Sequence, residues 1–195
     1  MPGEDDDVRI SDLALIRRTA AGDAIAFSKL ARRHQAAVYR FASALAPEGA
    51  EAEAVLQEAF LAARRTAHRY QDEAPVRTWL LALARQVAHR RHPRRTVVSL
   101  DSPSLRELGR AAGWGRMDDS RQFAERLFDR QRLEETLAAL PPEDREILIL
   151  CDLEGLPGEE AAAVAGLSVA VAKTRLLRAR LRLIAKLKED TGNGQ

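Results

Sequence analysis

Seven cations with no acid among them crowd one stretch, "AKTRLLRARLRLIAKLK": Lys173, Arg175, Arg178, Arg180, Arg182, Lys186 and Lys188. Lys and Arg in such density do not make a catalytic constellation. They neutralise phosphates, and an Arg can fork onto the edge of a guanine. A second basic run, "ARQVAHRRHPRR" (Ala84 to Arg95), holds Arg85, Arg90, Arg91, Arg94 and Arg95. A solvated helix end favoured by the helix dipole is the plain alternative for that run. His89 and His92 stand three residues apart in it. Two histidines without a nearby Cys or carboxylate do not complete a metal's ligand set, and their basic neighbours repel a cation. The single cysteine, Cys151, has no partner for an internal disulfide and suits a reducing compartment. No nucleophile motif, phosphate-binding loop or dinucleotide fingerprint occurs. The chemistry on offer is therefore nucleic-acid contact, and no enzyme activity, cofactor or metal is expected.

Those cations have to be held by helices. Hydrophobic residues make up 46% of the 195 and aromatics only 5%, with β-branched runs scarce, which favours small helical bundles over a sheet. Ser11 is placed to cap a short helix with Leu13 and Ile16. Asp23 caps the next, in which Phe27, Leu30, His34, Val38, Phe41 and Leu45 recur at steps of three and four and share a face. A third helix from about Ala50 turns Val55, Leu56, Ala59, Phe60 and Ala63 inward. "RYQDEAP" reads as a loop, and Pro75 opens a fourth helix burying Val76, Trp79, Leu80, Leu83 and Val87. From Thr96 to about Arg130 the periodicity fails, around an isolated Trp114, and the stretch reads as a linker. Leu133, Leu137 and Leu140 restart it. Pro157 begins a helix with Glu159 and Glu160 in its first turn. Gly166 makes a tight turn, and Ser168 caps a final helix with Val169, Ala172, Leu176 and Ala179 inward.

A helix, a glycine turn and a Ser-capped second helix form a helix-turn-helix, whose second helix enters the DNA major groove by its N-terminal end. Lys173, Thr174, Arg175 and Arg178 then project outward. The organisation expected is two small all-α domains on a flexible tether. An acidic tail (1–10) precedes the first domain (11–95), the linker covers 96–130, the second domain covers 131–190, and a short tail (191–195) ends the chain. No apolar run is long enough to span a membrane, and the acidic start (Glu4, Asp5, Asp6, Asp7) is unlike a secretory signal, so a cytoplasmic location is expected.

The segments "AAGDAIAFSKLARRHQAAVYRFASAL", "EAEAVLQEAFLAARR" and "RYQDEAPVRTWLLALARQ" resemble region 2 of bacterial extracytoplasmic function (ECF) sigma factors. "LPPEDREILILCDLEGLPGEEAAAVAGLSVAVAKTRLLRARLRL" resembles their region 4. The resemblance implies a promoter-specificity subunit of RNA polymerase without enzymatic activity. Its partners would be core polymerase, promoter DNA and an anti-sigma factor, with no direct membrane insertion. Core binding would fall on Glu51, Glu53, Val55, Gln57 and Glu58; Ala54 stands where the family usually has Asp, so Glu51 and Glu53 would supply the charge. The downstream (−10) element would meet Tyr70, Gln71, Asp72, Trp79, Arg85, Gln86, His89 and Arg90, with Tyr70, Gln71 and Asp72 lining a pocket for an unstacked base. The upstream (−35) element would meet Ser168, Lys173, Thr174, Arg175, Leu177, Arg178 and Arg180. Cys151 occupies a place where relatives commonly carry an Arg on the DNA backbone. Two other functions fit parts of the sequence: a stand-alone helix-turn-helix regulator, and a degenerate sigma homologue that sequesters an anti-sigma factor.

Overall fold

The computed structural model describes residues 10–46, 49–92 and 130–192, and every regular element among them is helical. The acidic tail, Arg94, Arg95, Trp114 and all of the expected linker except Arg130 lie outside the described residues.

Four helices build the first half: α1 (Asp12–Ala20), α2 (Ala24–Leu45), α3 (Gly49–Thr66) and α4 (Val76–Arg91), with a 3-10 turn at Ala67–Arg69. Ser11 accepts the Ala14 N–H at 3.2 Å. Asp23 accepts the N–H groups of Ile25 and Ala26 at 2.9 and 3.0 Å, satisfying donors that the first turn of α2 leaves without intrahelical partners. The same carboxylate takes a fork from Arg18, which pins the end of α1 to the start of α2. Hydrogen bonding to its own helix start and to Arg18 holds Asp23 below the usual carboxylate range. Leu15, Ile16, Leu30, Val38, Phe41, Val55, Leu80 and Leu81 are almost wholly excluded from solvent. Each such side chain contributes about 1.5–3 kcal/mol on burial. Trp79 and Leu83, expected inside, are only half-buried.

The second half comprises α5 (Arg130–Ala138), α6 (Pro142–Leu148), α7 (Gly158–Ala165) and α8 (Val169–Gly192). A π-helical turn, Ile149–Leu153, extends α6 and closes with Glu154 N–H on Ile149 O at 2.8 Å. Arg145, 8% exposed, lies inside this unit. Its guanidinium donates to the carbonyls of Leu137, Ala138 and Leu140 at 2.9, 2.7 and 3.2 Å, and so closes the C-terminal end of α5. It also reaches Ala44 O, at the end of α2, at 3.2 Å.

That last bond bears on the architecture. The two halves are not separate bodies: α4 packs on α7, α2 packs on α6, and one apolar core runs through both. The inward stripe of α8 also differs from expectation. Ala172, Ala179, Leu183 and Leu187 are buried, whereas Val169 at the helix start faces solvent. The Ser168 cap turns that first residue away from the core. Among the described residues no helix is long and apolar enough to cross a membrane.

Candidate functional site

The helix-turn-helix consists of α7, a turn and α8. Gly166 adopts φ +65°, the left-handed conformation that a Cβ disfavours. Its N–H closes on Ala163 O at 3.2 Å and that of Leu167 on Ala162 O at 2.9 Å, satisfying the last carbonyls of α7. Ser168 Oγ accepts the Val171 N–H at 3.3 Å and starts α8. Lys173 and Thr174 are exposed and Arg175 is half-buried, and neither cation makes an ion pair with the described residues. Thr174 Oγ donates to Ala170 O at 3.1 Å. These residues border a shallow groove of about 310 Å³ lined by Ala170, Val171, Thr174, Arg175 and Arg178. Leu177 is exposed, as are Val169 and Val171, two apolar side chains that pattern reading did not place on this face.

The second half of α8 behaves differently. Arg180 forks onto Asp152 at 2.6 and 3.0 Å, and Arg182 pairs with the buried Asp144. The counter-charges missing from the local sequence are thus delivered by α6 and its π turn. Burial pushes the Asp144 carboxyl up, against the pull of Arg182. Cys151 is half-buried, and burial followed by the neighbouring Asp152 raises its thiol above its ordinary value, which keeps it protonated and unreactive at neutral pH.

On the first half, Tyr70 stacks edge-on against Trp79 with ring centroids 5.4 Å apart, and its hydroxyl donates to Ala74 O at 2.5 Å. Burial, with Asp72 nearby, raises the phenol above its usual range, so it stays a neutral donor. A pocket of about 200 Å³ opens here, lined by Leu13, Ile16, Arg17, His68, Tyr70 and Asp72 among others. Arg17 and His68 were not singled out from sequence; α1 folds back over the 3-10 turn and brings them in. Gln71 is exposed outside this lining, and Gln86 is exposed on α4. Arg85 is not free, because Glu146 engages it. Arg90 and Arg91 both pair with Glu58 on α3. His89 is half-buried, and His92 sits against Glu51, so a carboxylate does lie beside the histidines. No group of three metal-ligating side chains forms among the described residues.

The α3 set divides in the same way. Glu53 and Gln57 face outward, Glu58 and Glu51 are engaged by α4, and Val55 has no exposed surface at all. Val55 is a core residue and not available to a partner. Leu61, 55% exposed, continues the outward row at i+4 from Gln57. The 53–57–61 spacing was the signal that would have found it.

A family model for sigma-70 region 2 matches residues 30–96, and one for sigma-70 region 4 matches residues 130–183. The RNA polymerase sigma factor CnrH of Cupriavidus metallidurans is 29% identical over 93% of this chain and 96% of its own. The ECF RNA polymerase sigma factor SigC of Mycobacterium tuberculosis is 33% identical over 97% of each. Among solved structures, CnrH in complex with the cytosolic domain of CnrY superposes with a TM-score of 0.66 at 28% identity, covering 93% of this chain and 99% of that one. Sigma factor RpoE of Bartonella quintana, in complex with the anti-sigma factor NepR, shares the fold at 22% identity with a TM-score of 0.60, covering 84% and 96%.

Proposed function

The chain belongs to the ECF sigma factors of the sigma-70 family, and from that premise we propose that it directs core RNA polymerase to a specific set of promoters. The observation that carries the reading is the pairing of two modules on one chain: a helix-turn-helix with outward Lys173, Thr174 and Arg175, and a four-helix unit with the Tyr70 pocket. In this reading α8 reads the upstream element as duplex, with Lys173 on phosphate and Arg175 on a base edge. The Tyr70 pocket receives a base taken from the downstream element. Unstacking that base costs a few kcal/mol, which stacking and edge contacts offset. Glu53, Gln57 and Leu61 form the face of α3 offered to the core enzyme. The protein itself catalyses no bond change, and it works in the cytoplasm beside the chromosome. Two of the similar structures are complexes, one of them with a named anti-sigma factor, which supports control of this chain by an anti-sigma protein as well.

Run-off transcription with core polymerase on a promoter library tests the reading. Specific transcripts that depend on both proteins are expected. Tight, sequence-specific DNA binding without polymerase, and no transcripts with it, would favour a stand-alone regulator. Absence of both would leave a sequestering homologue. Within the sigma reading, Tyr70→Ala and Gln86→Ala are expected to recover on a premelted template, whereas Lys173→Ala and Arg175→Ala are not.

A further inference from the structure

Glu154 lies just after the π turn, 2% exposed, and its side chain has no accessible surface. Its carboxylate is held from the other half of the molecule: Arg40 of α2 donates to both oxygens at 2.7 and 3.1 Å, and Arg77 of α4 joins them. Two further acids of the second domain repeat the pattern on α4. Glu146, 4% exposed, takes Arg85, and Glu160 takes the hydroxyl of the buried Thr78. Arg77, Thr78 and Arg85 therefore all face carboxylates of the helix-turn-helix domain. The turn itself rests there, since a Cβ added at Gly166 would stand 3.3 Å from the Arg85 guanidinium.

A carboxylate oxygen and a phosphate oxygen present the same acceptor to an arginine. We propose that Glu146, Glu154 and Glu160 are an internal substitute for the nucleic-acid backbone, latching the second domain onto the face of α4 so that the free chain cannot place that face on DNA. The interface suits a latch that opens. Its closing contacts are ion pairs and hydrogen bonds, and inter-domain surfaces of polar character separate more readily than an apolar core. Each charge regains water on opening, which offsets part of the Coulomb energy lost. Arg40 and Arg77 already keep substantial exposure at the rim of the contact. Closure also fixes how far apart the Tyr70 pocket and the outward face of α8 can lie, so a promoter presenting both elements at another spacing requires release. The inference rests on the sigma-factor reading for what α4 meets, but not for the closure itself.

The test uses the full chain without polymerase. Spin labels on Gln35→Cys and Glu159→Cys, in a Cys151→Ser background, report the distance between α2 and α7. A single short distance is expected, and a longer, broad distribution for Glu154→Gln. Arg40→Gln removes the same contact from the exposed side and should open the chain alike, with helicity by circular dichroism unchanged. A forked duplex with a single-stranded non-template arm is then titrated. If about 90% of the chain is closed, opening raises apparent affinity about tenfold. A broad distance distribution in the unmodified chain overturns the latch. Opening without a gain in affinity for the fork, or with no binding at all, overturns the competition with DNA. Run-off transcription by the unmodified chain decides the sigma reading separately, because the distances are read with neither polymerase nor promoter present.

Discussion

The cationic face of α4 and that of the first half of α8 are built from the same kinds of residue and end in opposite states. On α4, Arg77 and Arg85 meet Glu154 and Glu146, and Arg90 and Arg91 meet Glu58. On α8, Lys173 and Arg175 meet no acid among the described residues, and the pairing resumes only at Arg180 and Arg182. An arginine already bonded to a carboxylate must surrender that bond before it can take a phosphate, and it gains little net energy from the exchange. A cation still in water gives up only counterions and solvent. The contrast separates positions available for recognition at once from positions available only after a rearrangement.

Arg145 is the strongest lever on the frame that supports both faces. Arg145→Ala would strip the bonds it gives to four carbonyls on α2, α5 and the turn after α5, leaving several buried acceptors unmatched. A loss of about 3 kcal/mol or more is expected, read as a lower urea midpoint. A shift below 1 kcal/mol would mean that water takes its place and that the two halves are coupled less closely than their packing indicates.

The contrast sharpens along α8. Arg175→Ala should cost about 1–3 kcal/mol in affinity for the upstream element, and Lys173→Ala should lower the salt slope by about one. Arg180→Ala should leave that affinity nearly unchanged, because its guanidinium is committed to Asp152. Gel shifts of the polymerase holoenzyme over a salt series check all three. Equal losses for Arg175 and Arg180 would break the division between the two halves of the helix.

Gly166→Ala is expected to cost about 1–2 kcal/mol, since a left-handed backbone is strained for any residue with a Cβ. Thermal unfolding measures it. Because the new methyl also presses on Arg85, the same variant should loosen the α4 contact, which the α2–α7 distance would register.

The smallest effect concerns pH. His34 is buried against Asp12, with Nε2 2.8 Å from the carboxylate. Burial lowers its pKa below the ordinary value of 6.5 despite Asp12, and Arg33 and Arg77 push the same way. The folded state thus resists protonation more than the unfolded one does. The stability this gives is present above pH 6.5 and is lost as pH falls through the lowered value. His34→Gln should flatten the acid limb of the stability curve by less than about 1 kcal/mol, measured by denaturation between pH 7 and 5.

Helix type, caps and most of each stripe were readable because they depend on neighbours three or four residues away. Ser11, Asp23, Gly166 and Ser168 all act within that range. The recognition helix could be found for the same reason, as could the α3 residues Glu53 and Gln57. What could not be read was which charges are already matched. Glu154 lies 114 residues from Arg40, and Glu146 lies 61 from Arg85. No periodicity spans such separations, so Arg85 and Arg180 looked as available as Arg175. Val55 failed for a different reason. It stands one position off the outward row, and a half-turn of uncertainty in helix phase moves a residue from a binding face into the core. Two domains on a loose tether was the simplest organisation consistent with the break in periodicity, but docking of helices depends on surfaces and not on the segment that joins them.

The π turn at Ile149–Leu153 gives this family member a particular vulnerability to insertions and deletions. Such a turn holds one residue more than the α-helical path would need. Losing a single codon there would keep the reading frame and restore regular hydrogen bonding, so the segment would remain a good helix. Everything after it, however, would be rotated by about 100°. Glu154 would swing away from Arg40 and Arg77, and Asp152 from Arg180, while every residue type stayed the same. A lineage could therefore release the clasp between its two domains with one in-frame deletion and no substitution, and an alignment scored on residue identity alone would hardly notice.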